Sequence, residues 1–202
     1  MPSEGMTLGA VRIRTIVFGR GGRRTRRGAS NSGDGSTMAA MYLDAMSFLD
    51  DEREAWRPFE ALLDLTDDQL ERHVEAAHGW SGRQLMGHVV AWQEVALDIA
   101  RELAVNEKSP TAAGIDADWD ARGGEVINEE IDSRWAARPL AEVRDEFRRI
   151  AVELRGFLTV VPESRWIKNP TYQKTFTEET LDHYDDHQAD LDAILAAAAG
   201  AG

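Results

Sequence analysis

The chain of 202 residues contains no cysteine. Disulfides, thiolate metal sites and a cysteine nucleophile are therefore excluded, and any sulfur chemistry needs a thiol brought in from outside. Lysine is scarce, three residues against twenty arginines, the usage expected of a GC-rich genome. No apolar run approaches the roughly 18 residues that would span a membrane, so a soluble cytoplasmic protein is expected. Histidine is sparse as well, with five in all.

What is present suits a globular domain. A 43% hydrophobic content with six tryptophans, over this length, is enough to bury a sizeable core in one domain. Charge divides the chain. Residues 1–37 hold seven arginines against Glu4 and Asp34, so they carry +5, and the remainder carries −18 of the formal net charge of −13. A body that acidic repels phosphate backbones, which excludes nucleic acid as its expected partner. The basic leader has no long apolar core and no hydrophobic periodicity. It reads as an unstructured extension or a mis-set translation start, with Met38 or Met41 as the working beginning; a transit peptide is the other reading. The folded domain is expected over 38–198.

From Met41 onward the pattern is helical. Tyr42, Ala45, Met46, Leu49, Trp56, Phe59 and Leu63 recur at helical spacing, predicting a first helix to about Leu65 that Pro58 should kink or break. "LTDDQL" offers Thr66 and Gln69 as a capping box, and "GWSGRQL" offers Ser81 and Gln84 as another. Trp80 and Leu85 stand at the two positions of a hydrophobic staple. The helix that follows has an apolar stripe of Leu85, His88, Val89, Trp92, Ala96, Ile99 and Leu103, so His88 should face inward. Beside it, Gly87 costs up to about 1 kcal/mol against alanine in a helix interior; close backbone approach or an ordinary packing contact would each explain it.

Residues 106–138 read as a long connection with a short helix over 125–137. Pro139 sits where a helix begins, and Leu140, Val143, Phe147, Ile150, Leu154, Leu158 and Val161 mark a third long helix ended by Pro162. "ESRWIKNPTYQKTF" reads as a loop, and Thr175 with Glu178 as a capping box for the last helix. That helix carries Leu181, Tyr184, Leu191 and Ile194 on its apolar line. Four amphipathic helices with one long central connection predict an all-α four-helix bundle with a crossover between the second and third.

The chemistry lies in the histidines. His183 and His187 sit four apart within "LDHYDDHQADLDAIL", and i, i+4 imidazoles on one helix can reach a single ion about 2.0–2.1 Å away. His88, on another helix, can supply a third ligand. All three lie roughly 10–15 Å into their helices at 1.5 Å per residue, so their heights are compatible. The plainer readings are a satisfied core histidine at 88 and a solvated acidic face around the pair. A ferritin-like di-metal site fares worse. It needs Glu-x-x-His motifs on two helices, and the only such spacing, Glu75 to His78, falls in an expected loop. His73 and His78 read as solvated.

The blocks "LTDDQL", "GWSGRQLMGHVVAWQE" and "HYDDHQADL" resemble the DinB-type superfamily of four-helix bundles. That superfamily includes the mycothiol-dependent maleylpyruvate isomerase N-terminal domain and the ClbS/DfsB proteins, and the resemblance runs from about Met41 to Leu195. It implies an up-down-down-up bundle, commonly a homodimer, with a divalent metal such as zinc or nickel on His88, His183 and His187. It also implies a thiol-dependent, mycothiol-type transferase or isomerase acting on a small molecule. ClbS-like members need not retain the metal triad, so a non-catalytic small-molecule-binding or self-resistance protein is the alternative. A third reading is a purely structural dimerising bundle. Tyr184 and Glu94 are candidate proton-transfer groups, and Asp186 and Asp190 candidate orienters of a ligand imidazole. Arg165, Trp166, Lys168 and Tyr172 are candidates to cover the metal and meet an anionic substrate.

Overall fold

The computed structural model describes residues 42–200. The expectations for residues 1–37, and for Met38 or Met41 as the start, lie outside the described residues. Within them, eight α-helices follow one another: α1 (Ala45–Trp56), α2 (Asp67–Glu71), α3 (Gly82–Val105), α4 (Pro110–Arg122), α5 (Gly124–Ala136), α6 (Leu140–Leu158), α7 (Pro170–Thr177) and α8 (His183–Ala199). The only β pairing among the described residues is an isolated bridge between His73 and Ser81.

The first helix stops where its sequence says it must. Asp44 caps its start by accepting from Ser47 N at 2.9 Å. At Pro58 the missing N–H ends α-helical bonding, and Arg57–Asp64 continues as a 3₁₀ segment. Phe48, Leu49, Trp56, Phe59 and Leu62 are the apolar residues that these two segments bury. Met46, placed on the apolar line from spacing, is instead 61% exposed. Both expected capping boxes form, Thr66 with Gln69 before α2 and Ser81 with Gln84 before α3.

Two stretches expected as loops are helical. The connection 106–138 holds α4 as well as α5; Ser109 caps α4 through Ala112 N, with Pro110 at its first turn. Likewise Asn169 and Pro170 open α7 inside the segment expected as a loop. The capping box expected at Thr175 and Glu178 therefore does not exist. A helix is already running there, and Thr175 Oγ1 donates back to Thr171 O. The π-helical turn Glu178–Asp182 joins α7 to α8. Its extra residue shifts the helical register just before His183.

Contacts along the helices give their directions. Arg83, at the start of α3, donates to Ala136 O and Arg138 O just before α6, while Arg101 near its end pairs with Glu153 far along α6. So α3 and α6 run parallel. Gly82 lies against Ile194 and Gln93 bonds Tyr184, so α8 runs against α3. Ala45 meets Glu163 and Trp56 meets Phe147, so α1 runs against α6. The result is an up-down-down-up bundle of α1, α3, α6 and α7–α8, in which the parallel middle pair requires the long crossover that carries α4 and α5. Its centre is aromatic: the Trp56 ring meets Phe59, Phe147 and Tyr184, and Phe59 meets Tyr184.

Candidate metal centre

His88 enters the site from the second turn of α3. Its inward direction follows from the Ser81 cap, which fixes where the helix starts, and from the apolar residues flanking it. It is 0% exposed. His183 and His187 arrive from the first and second turns of α8, one turn apart, and both are buried.

The three rings form a nearly equilateral set. Ring centroids lie 5.0 Å apart for His88–His183, 4.9 Å for His88–His187 and 4.9 Å for His183–His187. One ring nitrogen from each lies within 4.8 Å of the others. Donors of one tetrahedral ion sit about 3–3.5 Å apart at ordinary metal–nitrogen distances, so a small side-chain adjustment closes the gap.

Two observations test whether an ion fits. His88 Nε2 and His183 Nε2 are buried with no hydrogen-bond partner in the protein. Buried polar atoms are normally paired, and leaving one unpaired costs about 1–3 kcal/mol. Burial also holds the His183 ring well below the ordinary histidine range, and the neighbouring His88 and His187 push the same way. Burial lowers His88 too, although the Asp132 carboxylate opposes it. Neutral imidazoles with open lone pairs are the form that a divalent cation takes up. The residues fit.

The surroundings hold the rings in place. Trp80 stacks on His187 at 5.2 Å and 25° and meets His88 edge-on at 4.9 Å. Trp92 meets His183 edge-on at 6.2 Å and in turn contacts Trp119 of α4. Asp190 Oδ2 lies 3.0 Å from His187 Nδ1, and its other oxygen lies 2.8 Å from Nδ1 of His78. Asp132 on α5 places Oδ1 3.6 Å from His88 Nδ1, beyond hydrogen-bond length but close enough for attraction. Asp132 also lines a cavity of about 170 Å³, together with Arg83 and Trp135.

Of the sequence-expected site residues, His88, His183 and His187 come together, and Asp190 joins them. Asp186 is exposed and makes no hydrogen bond to a ligand imidazole, although its charge is felt by His187. Tyr184 is taken up by the core, donating to Glu52 at 3.0 Å and accepting from Gln93. Glu94 lies on the side of α3 that faces Arg134 and Arg138. The expected cover fails. Trp166 is wholly buried, Lys168 pairs with Glu163, Tyr172 OH accepts from Ser109 N, and Arg165 donates to Leu103 O and Ala104 O. The latter lie near the far end of α3, about 24 Å along the axis from His88 at 1.5 Å per residue. His78, expected as merely solvated, is largely exposed yet bonded to Asp190. The bond from His78, and the place of Asp132 beside His88, had no signal in the sequence, because each pairs residues from separate elements.

A family model described as the mycothiol maleylpyruvate isomerase N-terminal domain matches residues 52–181. The chain belongs to this family. The match contains His88 and ends just before His183 and His187. No curated protein and no solved structure matches the chain. Among the described residues no helix is long and apolar enough to cross a membrane.

Proposed function

We propose that His88, His183 and His187 hold one divalent ion, zinc or nickel, and that the protein is a thiol-dependent transferase or isomerase of the mycothiol type acting on a small molecule. The observation that carries this reading is the convergence of three buried imidazoles from two helices, two of them with unpaired nitrogens. Family membership supports the thiol, and the absence of cysteine requires that any thiol come from solution.

Three neutral ligands leave an ion its full charge and an open position, which suits it to bind a thiolate or polarise a carbonyl. The chain's own residues provide the remainder. Trp80 and Trp92 exclude water from two sides of the rings, and Asp190 and Asp132 supply negative charge behind two of them. The cavity beside Asp132 is where we place the approach of the substrate.

Elemental analysis of the purified protein tests the metal, and a thiol-conjugation screen tests the activity. One ion per chain, lost in His88→Ala, His183→Ala and His187→Ala, is the expected result. A well-folded protein that takes up neither zinc nor nickel would overturn the reading and leave a non-catalytic small-molecule-binding bundle in its place.

A further inference from the structure

The turn leading into α3 is built in an unusual way. His78 adopts φ 55° and ψ 24°, the left-handed region, and Gly79 follows at φ 83°. Non-glycine residues take that conformation rarely, and it persists where surrounding contacts over-determine it. Here they do. Gly79 N donates to Val74 O at 3.0 Å, Trp80 N donates to Ala77 O at 2.8 Å, and the His73 ring bonds Gly79 O at 2.7 Å.

The bend sends two side chains, His78 and Trp80, to the same place. The His78 ring reaches across to α8, 112 residues away in sequence, where Nδ1 lies 2.8 Å from Asp190 Oδ1. Two residues on, Trp80 lies against His187 and His88. Asp190 is 5% exposed, and its second oxygen lies 3.0 Å from His187 Nδ1. A carboxylate can only accept. A proton on His187 must then sit on Nδ1, which leaves Nε2 with the lone pair.

We propose that His78 and Asp190 are positioning residues: Asp190 fixes His187 as the Nδ1–H tautomer, and His78 holds Asp190 in the geometry that does so. The consequence for ion affinity rests on the metal reading above, while the tautomer does not depend on it. Such outer partners of a ligating histidine fix its ring and raise its basicity, and losing one commonly costs 10- to 100-fold in metal affinity.

Two measurements on the full chain test this. The first is ¹H–¹⁵N NMR of the histidine rings in metal-free wild type, His78→Gly and Asp190→Ala. Glycine suits φ 55°, so His78→Gly removes the ring without disturbing the turn. The wild type should show His187 protonated on Nδ1, and Asp190→Ala should show mixed tautomers. A wild-type proton on Nε2 would overturn the proposal. The second is zinc affinity by chelator competition. Asp190→Ala should bind 10- to 100-fold more weakly, His78→Gly a few-fold more weakly, and the double variant no worse than Asp190→Ala alone. Affinity within twofold of wild type in Asp190→Ala overturns the proposal while the metal reading stands. Should Asp190→Ala fail to fold, His78→Gly alone decides both measurements. If wild type takes up no zinc, the metal reading falls by itself and the tautomer decides the positioning.

Discussion

Arg155 of α6 donates to Glu52 of α1 at 2.8 Å, and Glu52 is 0% exposed. The same carboxylate accepts from Tyr184 of α8 at 3.0 Å, and Tyr184 accepts from Gln93 of α3. One network therefore ties all four long helices together at the level of the aromatic core. Desolvation lifts the Glu52 pKa, with Arg155 pulling it back, so the carboxylate depends on its partner. Arg155→Met should cost about 3–5 kcal/mol, the usual penalty for stranding one charge of a buried pair. Arg155→Met with Glu52→Gln should recover part of it, since neither charge is then left alone. Urea unfolding of the single and double variants measures both. Equal loss in the two would show that the network matters only through packing.

Gly87 resolves a question of helix approach. A Cβ built there would lie 2.8 Å from Trp135 Cβ and 3.1 Å from its Cγ, the rigid base of that side chain on α5. Alanine gains about 1 kcal/mol of helix propensity over glycine. Overpacking against an atom that cannot swing away costs about 1–3 kcal/mol and should win. Gly87→Ala should therefore destabilise, whereas Gly156→Ala in α6, with open space around its Cβ, should stabilise by about 0.5–1 kcal/mol. Thermal melts of the pair compare the two terms directly. A stabilised Gly87→Ala would mean that α5 can move off α3.

These contrasts show what a single sequence can and cannot convey. Capping boxes at Thr66 and Ser81 and the apolar stripe of α3 were legible because their partners lie within four residues. So was the histidine triad, since two members share one turn and the third sits on that stripe. By contrast α4 buries no residue, so it has no hydrophobic period to find, and only Ser109 and Pro110 announced it. At α7 the pair Asn169 and Pro170 was the true start, while Thr175 and Glu178 imitated a cap inside a running helix. Nothing near Glu52 in sequence marks it as buried, because its partners lie 103 and 132 residues away. Pairings over that range leave no local trace.

Acid should destabilise the metal-free protein through its buried histidines. His88 and His183 titrate below the ordinary value of about 6.5 in the folded state. Below pH 6.5 the unfolded chain binds protons that the folded chain refuses, so stability falls as pH drops from there towards the folded pKa values. Each ring contributes a slope of up to about 1.4 kcal/mol per pH unit. Glu52 and Glu94, whose pKa values are raised, act in the opposite sense and blunt the total. Comparing wild type with His183→Leu between pH 6.5 and 5, in chelator, cancels those carboxylates. The variant's slope should be shallower, by up to about 1.4 kcal/mol per unit towards pH 5. Parallel slopes would place the His183 proton elsewhere.

Ion binding, on the proposed reading, should appear as stability. An ion bound only by the folded state adds about 2.7 kcal/mol at a free concentration one hundred times Kd. For a domain of this size each kcal/mol moves Tm by about 2–4 °C, so zinc should raise Tm by roughly 5–11 °C. Chelator should reverse the rise. His183→Leu should abolish it while keeping the fold, because leucine fills the site without offering a nitrogen. The gain should also shrink as pH falls below the ordinary histidine value towards the depressed pKa values of His88 and His183, where protons compete for the same ring atoms. A zinc-induced rise of equal size in wild type and in His183→Leu would assign the ion to surface carboxylates of this acidic chain instead.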